Sequence, residues 1–169
     1  MARYEFETVI RLRGTTVDDV FDAVLRFGEY PDWWPAIRKA SVQQEGAEDG
    51  VGTICVYFVR SPLGYALKNR VEIVESARPG YLRFTTAGDL AGYGEYHVTE
   101  SAGVVEVRFP WHVSTTKSWM NWVAPVARPF FEWSHNHVCD VGGAGLAGRL
   151  GADLVSVHSS VEQTQAQRA

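Results

Sequence analysis

From Tyr4 to Arg13 apolar and polar positions alternate, with Phe6, Thr8, Ile10 and Leu12 on one side and Glu5, Glu7, Arg11 and Arg13 mostly on the other. A period of two is that of a strand with one wet face. The period then changes to that of a helix, because Val17, Val20, Phe21, Val24 and Leu25 recur at i, i+3, i+4, i+7 and i+8. Thr15 or Thr16 can cap this helix, Asp18 and Asp19 favour its first turn, and Gly28 is expected to stop it. In GEYPDWWPAI, Pro31 and Pro35 bracket two tryptophans and allow only a short helix or a tight turn.

Between Lys39 and Val113 six strand-like runs follow: KASVQQ, TICVYFVR, YALKNRVEIVES, YLRFTT, YGEYHVTE and VVEVRFPWHV. Their separators, among them SPLG, ARPG, AGDLAG and SAG, are short, which predicts hairpins in an antiparallel meander. If SAG turns the last hairpin, Glu95 falls opposite Arg108 and His97 opposite Glu106, while Tyr96 faces Val107 and Val98 faces Val105. One face is then charged and the other apolar.

Lys117 to Leu150 is the only stretch long enough for a helix of many turns, and it holds three of the six tryptophans. On a 3.6-residue period Trp119, Trp122, Val123, Val126, Phe130, Trp133, His137, Val141 and Ala144 share one face. Pro125 and Pro129 predict a kinked or two-piece helix, and the phase after Pro129 depends on that kink. The order of elements predicts an α+β fold in which a curling sheet takes the aromatic face of the long helix into its hollow.

At 169 residues and 18.8 kDa, with 46% hydrophobic and 21% charged residues, the chain suits a single domain. We place it at residues 1–157, with 158–169 as a polar, disordered tail. A net charge of −4 and a pI near 5.7 provide no field for a phosphate backbone, so no nucleic-acid partner is expected. The first 30 residues lack the features of a signal peptide, and no apolar run approaches the ~20 residues that span a bilayer. A cytoplasmic protein without stable membrane insertion is expected. Cys55 and Cys139 lack CxxC spacing and read as free buried thiols.

Gly143, Gly145 and Gly148 spell GxGxxG, but no strand–helix–strand unit surrounds them. Small residues there are read as allowing close packing of the helix end. No GxSxG, HExxH or P-loop signature is present, so neither a metal nor a cofactor is expected. His135 and His137 lie two apart, about 200° around a helix, and cannot grip one ion together. His137 on the aromatic face is a candidate general acid/base, with a core-packing imidazole as the bland alternative. His135 falls on the opposite side unless the prolines rotate it inward. Asn69, among Leu67, Val71 and Ile73, is a candidate orienting group or a strand-to-strand bond. Trp33 and Trp34 are candidate gate residues, and Tyr57, Tyr96, Trp111, Trp119, Trp122, Phe130 and Trp133 candidate walls of a chamber for a hydrophobic ligand.

YPDWWP at 30–35, GVG at 50–52, TTAGDLAGYGEY at 85–96, TTKSWMNWVAPVARPFFEWSHNHV at 115–138 and GLAGRL at 145–150 together carry a family likeness. The chain resembles the START-related superfamily of lipid-transfer proteins, birch-pollen-allergen-like proteins and polyketide cyclases (SRPBCC), in particular its bacterial polyketide cyclase/dehydrase branch. The resemblance implies a helix-grip fold: a curved antiparallel sheet of six or seven strands wrapped around a long C-terminal helix, with two short helices between strands 1 and 2. Family members bind lipids, sterols, polyketides or hormones, and some cyclise or dehydrate aromatic polyketides. Their common Trp-Asn-His matches Trp133, Ser134 and His135, with Ser134 departing from the pattern.

Three readings follow: a carrier of a hydrophobic or aromatic small molecule, a polyketide cyclase/dehydratase in which His137 or His135 moves a proton, or an interaction module. A monomer or a homodimer is expected. A chamber below about 300 Å³ weighs against the carrier. Two titratable groups converging on one point favour catalysis, and a lone Asn or His among rings favours carriage.

Overall fold

The computed structural model describes the backbone of residues 3–162, and the side chains there except those of 119–121, 123–125, 127–128 and 162. The chain runs β1 (Arg3–Arg13), α1 (Val17–Leu25), a 3-10 turn (Phe27–Glu29), α2 (Tyr30–Trp33) and β2 (Ile37–Gln44). It continues through β3 (Ile54–Arg60), β4 (Ala66–Ala77), β5 (Tyr81–Gly88), β6 (Leu90–Ser101) and β7 (Val104–Thr115) to α3 (Ser118–Leu150) and β8 (Asp153–Glu162). One eight-stranded sheet orders them β2-β3-β4-β5-β6-β7-β1-β8, and the paired strands are antiparallel. The long helix, the short helices and the sheet match the helix-grip architecture, with one strand more than expected.

That extra strand takes in residues 158–162 of the expected tail, whose remaining residues, 163–169, lie outside the described residues. Residues 153–162 pair with β1, and Ser159 Oγ lies 3.0 Å from Thr8 Oγ1. Polar composition suggested disorder, but an edge strand with one wet face needs little apolar content once its backbone is paired.

Thr16 caps α1 by accepting the Asp19 N–H at 3.1 Å. The helix ends at Leu25 rather than at Gly28, because Arg26 already leaves helical geometry at φ −85°, ψ 71°. Gly28 sits in the following 3-10 turn, where a Cβ would stand 2.9 Å from Val42 Cγ2. Its lack of a side chain serves a close approach.

The β6–β7 hairpin turns on Ala102 and Gly103, at φ 51° and 75°. A two-residue turn with both φ values positive is the tight hairpin form. The register is therefore His97↔Arg108 and Val98↔Val107, two residues from the expected pairing. A shift of two keeps every side chain on its face. Tyr96, Val98, Val105 and Val107 are buried, while Arg108 and Glu106 pair outside with Glu7 at 2.6 Å and Arg11 at 2.9 Å, on β1 instead of β6.

Helix α3 runs uninterrupted through Pro125 and Pro129. Its buried face holds Phe131, Ser134, His135, Cys139, Gly142, Gly143, Leu146 and Ala147. The described residues of the expected face from Trp122 to His137 are turned outward. Trp122, Val126, Phe130 and Trp133 are 85%, 81%, 58% and 53% exposed, and His137 is exposed with its ring 6.0 Å from that of Trp133. Among the described residues the buried face includes Phe131 rather than Phe130, one residue and about 100° away. Large rings suggested the core face, but small side chains mark where the helix closes on its neighbours. A Cβ on Gly143 would stand 2.5 Å from Val157 Cγ2, and one on Gly142 2.5 Å from the Trp34 indole.

Candidate ligand-binding site

The inner face of α3, helix α2 and the hollow of the sheet enclose a cavity of about 130 Å³. Two groups of rings meet across it. Phe27, Tyr30, Phe84, Tyr96 and Phe109 belong to the core under α1 and α2, while Tyr4, Phe6 and Phe131 form a second core. Trp111 packs against both.

Of the residues singled out in the sequence, Trp34, Tyr57, Tyr96, Trp111 and His135 stand in the cavity wall. Trp34 is fixed there because its indole N–H donates to the Val138 carbonyl at 2.8 Å over the bare surface of Gly142. Trp33, stacked on Trp34 at 5.5 Å, is buried and lines a smaller void beside the main cavity. Asn69 is buried opposite Tyr57 in the β3–β4 register, and its Oδ1 accepts the Leu90 N–H at 2.9 Å. Trp122, Phe130, Trp133 and His137 do not reach the cavity, for the reason of helix phase given above. The Trp119 side chain lies outside the described residues.

His135, which the helix phase puts on the far side unless the prolines rotate it inward, is an inner residue. Its ring stacks on Phe6 at 3.8 Å and lies 5.9 Å from Trp111. Burial pushes its pKa down to about 4. One turn on, Cys139 Sγ lies 3.5 Å from His135 Nε2 and accepts the Thr8 hydroxyl at 3.3 Å, while burial pushes the thiol up to about 11. Two titratable groups thus converge on the wall, yet both are neutral at pH 7. Burial likewise raises Tyr30, Tyr57 and Tyr96, which stay protonated. Beyond His135, the polar lining includes the Ser61–Ser134 pair, with hydroxyl oxygens 2.9 Å apart.

Tyr30, Phe6, Phe131, Ser134 and Cys139 also stand in the wall without having been singled out as site residues. Phe6 was legible as an inward position of its strand. Tyr30 was hidden in a turn, and the three helix residues followed from the misplaced face. Among the described residues no three His, Cys, Asp or Glu side chains could share a metal ion, and no helix is long and apolar enough to cross a membrane.

A curved sheet gripping a long helix around an apolar cavity defines a helix-grip protein of the START/SRPBCC class. Residues 3–139 match the family described as polyketide cyclase / dehydrase and lipid transport, and the chain belongs to that family. No curated protein matches the sequence. Among solved structures, a START superfamily protein from Mycobacterium smegmatis is similar at 14% identity and a TM-score of 0.69, over 88% of this chain and 97% of that one. The Zhui aromatase/cyclase from Streptomyces sp. R1128 gives 14% and 0.68, over 88% of this chain and 94% of its own. A conserved protein from Geobacillus kaustophilus gives 10% and 0.71, over 92% and 98%. At these identities the structural likeness speaks for the fold.

Proposed function

We propose that the protein binds a small hydrophobic or aromatic molecule between sheet and helix, as a carrier rather than a catalyst. The observation that carries this reading is a ring-lined apolar cavity in which burial holds His135, Cys139, Tyr30, Tyr57 and Tyr96 neutral at pH 7. General acid–base chemistry works best with a group whose pKa lies near the operating pH. His135, at about 4, and Cys139, at about 11, lie far to either side.

The cavity, at about 130 Å³, is below the ~300 Å³ of ordinary ligand pockets, which weighs against a carrier of lipid- or polyketide-sized molecules. It is close to an apolar cavity of about 150 Å³ known to admit benzene. The ligand that fits without displacing the wall is thus of about one ring, and a polyketide-sized guest needs α3 or the sheet to give way.

Native mass spectrometry of freshly purified protein tests the reading. A co-purified hydrophobic molecule, or uptake of added one-ring compounds at one per chain, is the expected result; no uptake of any such compound sinks it. The family also contains cyclases, and the alternative rests on His135, because His137 is exposed. Turnover of a poly-β-keto chain that disappears in His135→Phe and persists in His137→Phe would replace the carrier by a cyclase/dehydratase.

A further inference from the structure

Tyr30 and Tyr96 both stand in the cavity wall with their hydroxyl oxygens 3.3 Å apart. Geometry decides which of the two has a proton to give. Tyr30 Oη lies 2.6 Å from the Val24 carbonyl oxygen and 3.3 Å from the Tyr96 hydroxyl. A phenol carries one proton, and a carbonyl can only accept. Tyr30 therefore donates to Val24 and faces Tyr96 as an acceptor. The Tyr96 proton is left with a contact of 3.3 Å, beyond the usual 2.5–3.0 Å for O–H···O, so a better-placed acceptor in the cavity would take it.

One further group in the wall repeats this imbalance: Trp111 Nε1 is a buried donor with no hydrogen-bond partner among the described residues. The Val24 and Val138 carbonyls already accept from Tyr30 and Trp34. A buried donor without an acceptor is costly, and a ligand oxygen relieves that cost.

Resting on the small-molecule reading above, we propose that the cavity selects a ring-bearing ligand with an acceptor oxygen, as in a phenol, aryl ketone or aryl aldehyde. The Tyr96 hydroxyl donates to that oxygen, and Tyr30 positions Tyr96.

The test compares p-cresol with toluene, which differ by one hydroxyl, by calorimetry on wild type and Tyr96→Phe. Tyr96→Phe is expected to weaken p-cresol about five- to tenfold, the ordinary effect of one hydrogen bond, and to leave toluene within twofold. Equal effects on both ligands, or none on p-cresol, overturn the assignment to Tyr96 while the cavity reading stands. If neither ligand binds wild type, the cavity reading itself fails. A wild-type measurement guards against a misfolded variant: the carbonyl stretch of bound 4-methylbenzaldehyde, read by isotope-edited infrared spectroscopy, is expected below its position in hexane. A stretch unchanged from hexane also overturns the proposal.

Discussion

Gly145 lies against Trp33 so closely that a Cβ on the glycine would stand 1.7 Å from the Trp33 carbonyl oxygen. The contact sets the seat of α2 on α3, and with it the position of Trp34 in the cavity wall. Three residues on, Gly148 has nothing within 4 Å of the same built atom.

The two glycines therefore answer the same substitution with opposite sign. Gly145→Ala forces α2 away from α3 and is expected to lower Tm by about 5 °C or more, since overpacking costs about 1–3 kcal/mol or more. Gly148→Ala meets no neighbour and gains helix propensity of up to about 1 kcal/mol, raising Tm by about 2 °C. Thermal unfolding of the two variants checks this, and equal shifts would refute the packing account.

His135 links stability to pH. Burial lowers its folded pKa to about 4 from the ordinary 6.5, so as pH falls the unfolded chain binds the proton first. Stability is complete above pH 6.5, declines as pH falls from 6.5 to about 4, and levels off below. The loss between pH 7 and pH 5 is about 2 kcal/mol. His135→Phe keeps a ring between Phe6 and Trp111 and removes this component. Urea unfolding at the two pH values is expected to show the variant losing about 2 kcal/mol less than wild type; the same loss in both would mean that the imidazole is not buried neutral.

Much of the fold was legible because period two is a strong signal where one face is wet. Phe6, Thr8 and Leu12 alternate with charges along β1, and Val105 and Val107 do so along β7. Register was not, because it depends on whether Ala102 enters the left-handed region, and pairing off by two residues gives the same faces. The site failed where weight went to large rings. In α3 the inner face is marked by Ser134, Cys139, Gly142 and Gly143, whose small size lets other elements approach, while Trp122 and Trp133 look to solvent. Tyr57, Tyr96 and Trp111 were found more readily, because strand alternation fixes their side without reference to size.

The outward tryptophans can be read in solution. Trp122 and Trp133 are more than half exposed, whereas Trp33 is buried and Trp34 and Trp111 are partly buried in the interior. Acrylamide is expected to quench a readily accessible fraction of wild-type emission. In Trp122→Phe/Trp133→Phe that fraction falls by half or more while Tm moves by no more than about 4 °C, because exposed substitutions stay within about 0.5 kcal/mol each. Unchanged quenching would place these rings inside the protein and reopen the original helix phase.

The two cysteines give a site-specific report of occupancy. Cys139 lines the cavity, whereas Cys55 is fully buried and is not part of that wall. Both thiols are raised by burial, so each must gain access to water before it reacts with N-ethylmaleimide. A bound ligand slows both by stabilising the folded state, and Cys55 serves as the clock for that shared effect. Toluene in the cavity additionally covers Cys139. Saturating toluene is expected to slow labelling of Cys139 at least threefold more than labelling of Cys55, read peptide by peptide by mass spectrometry. Equal slowing would place the ligand elsewhere on the protein, and faster labelling of Cys139 would mean that binding opens the wall.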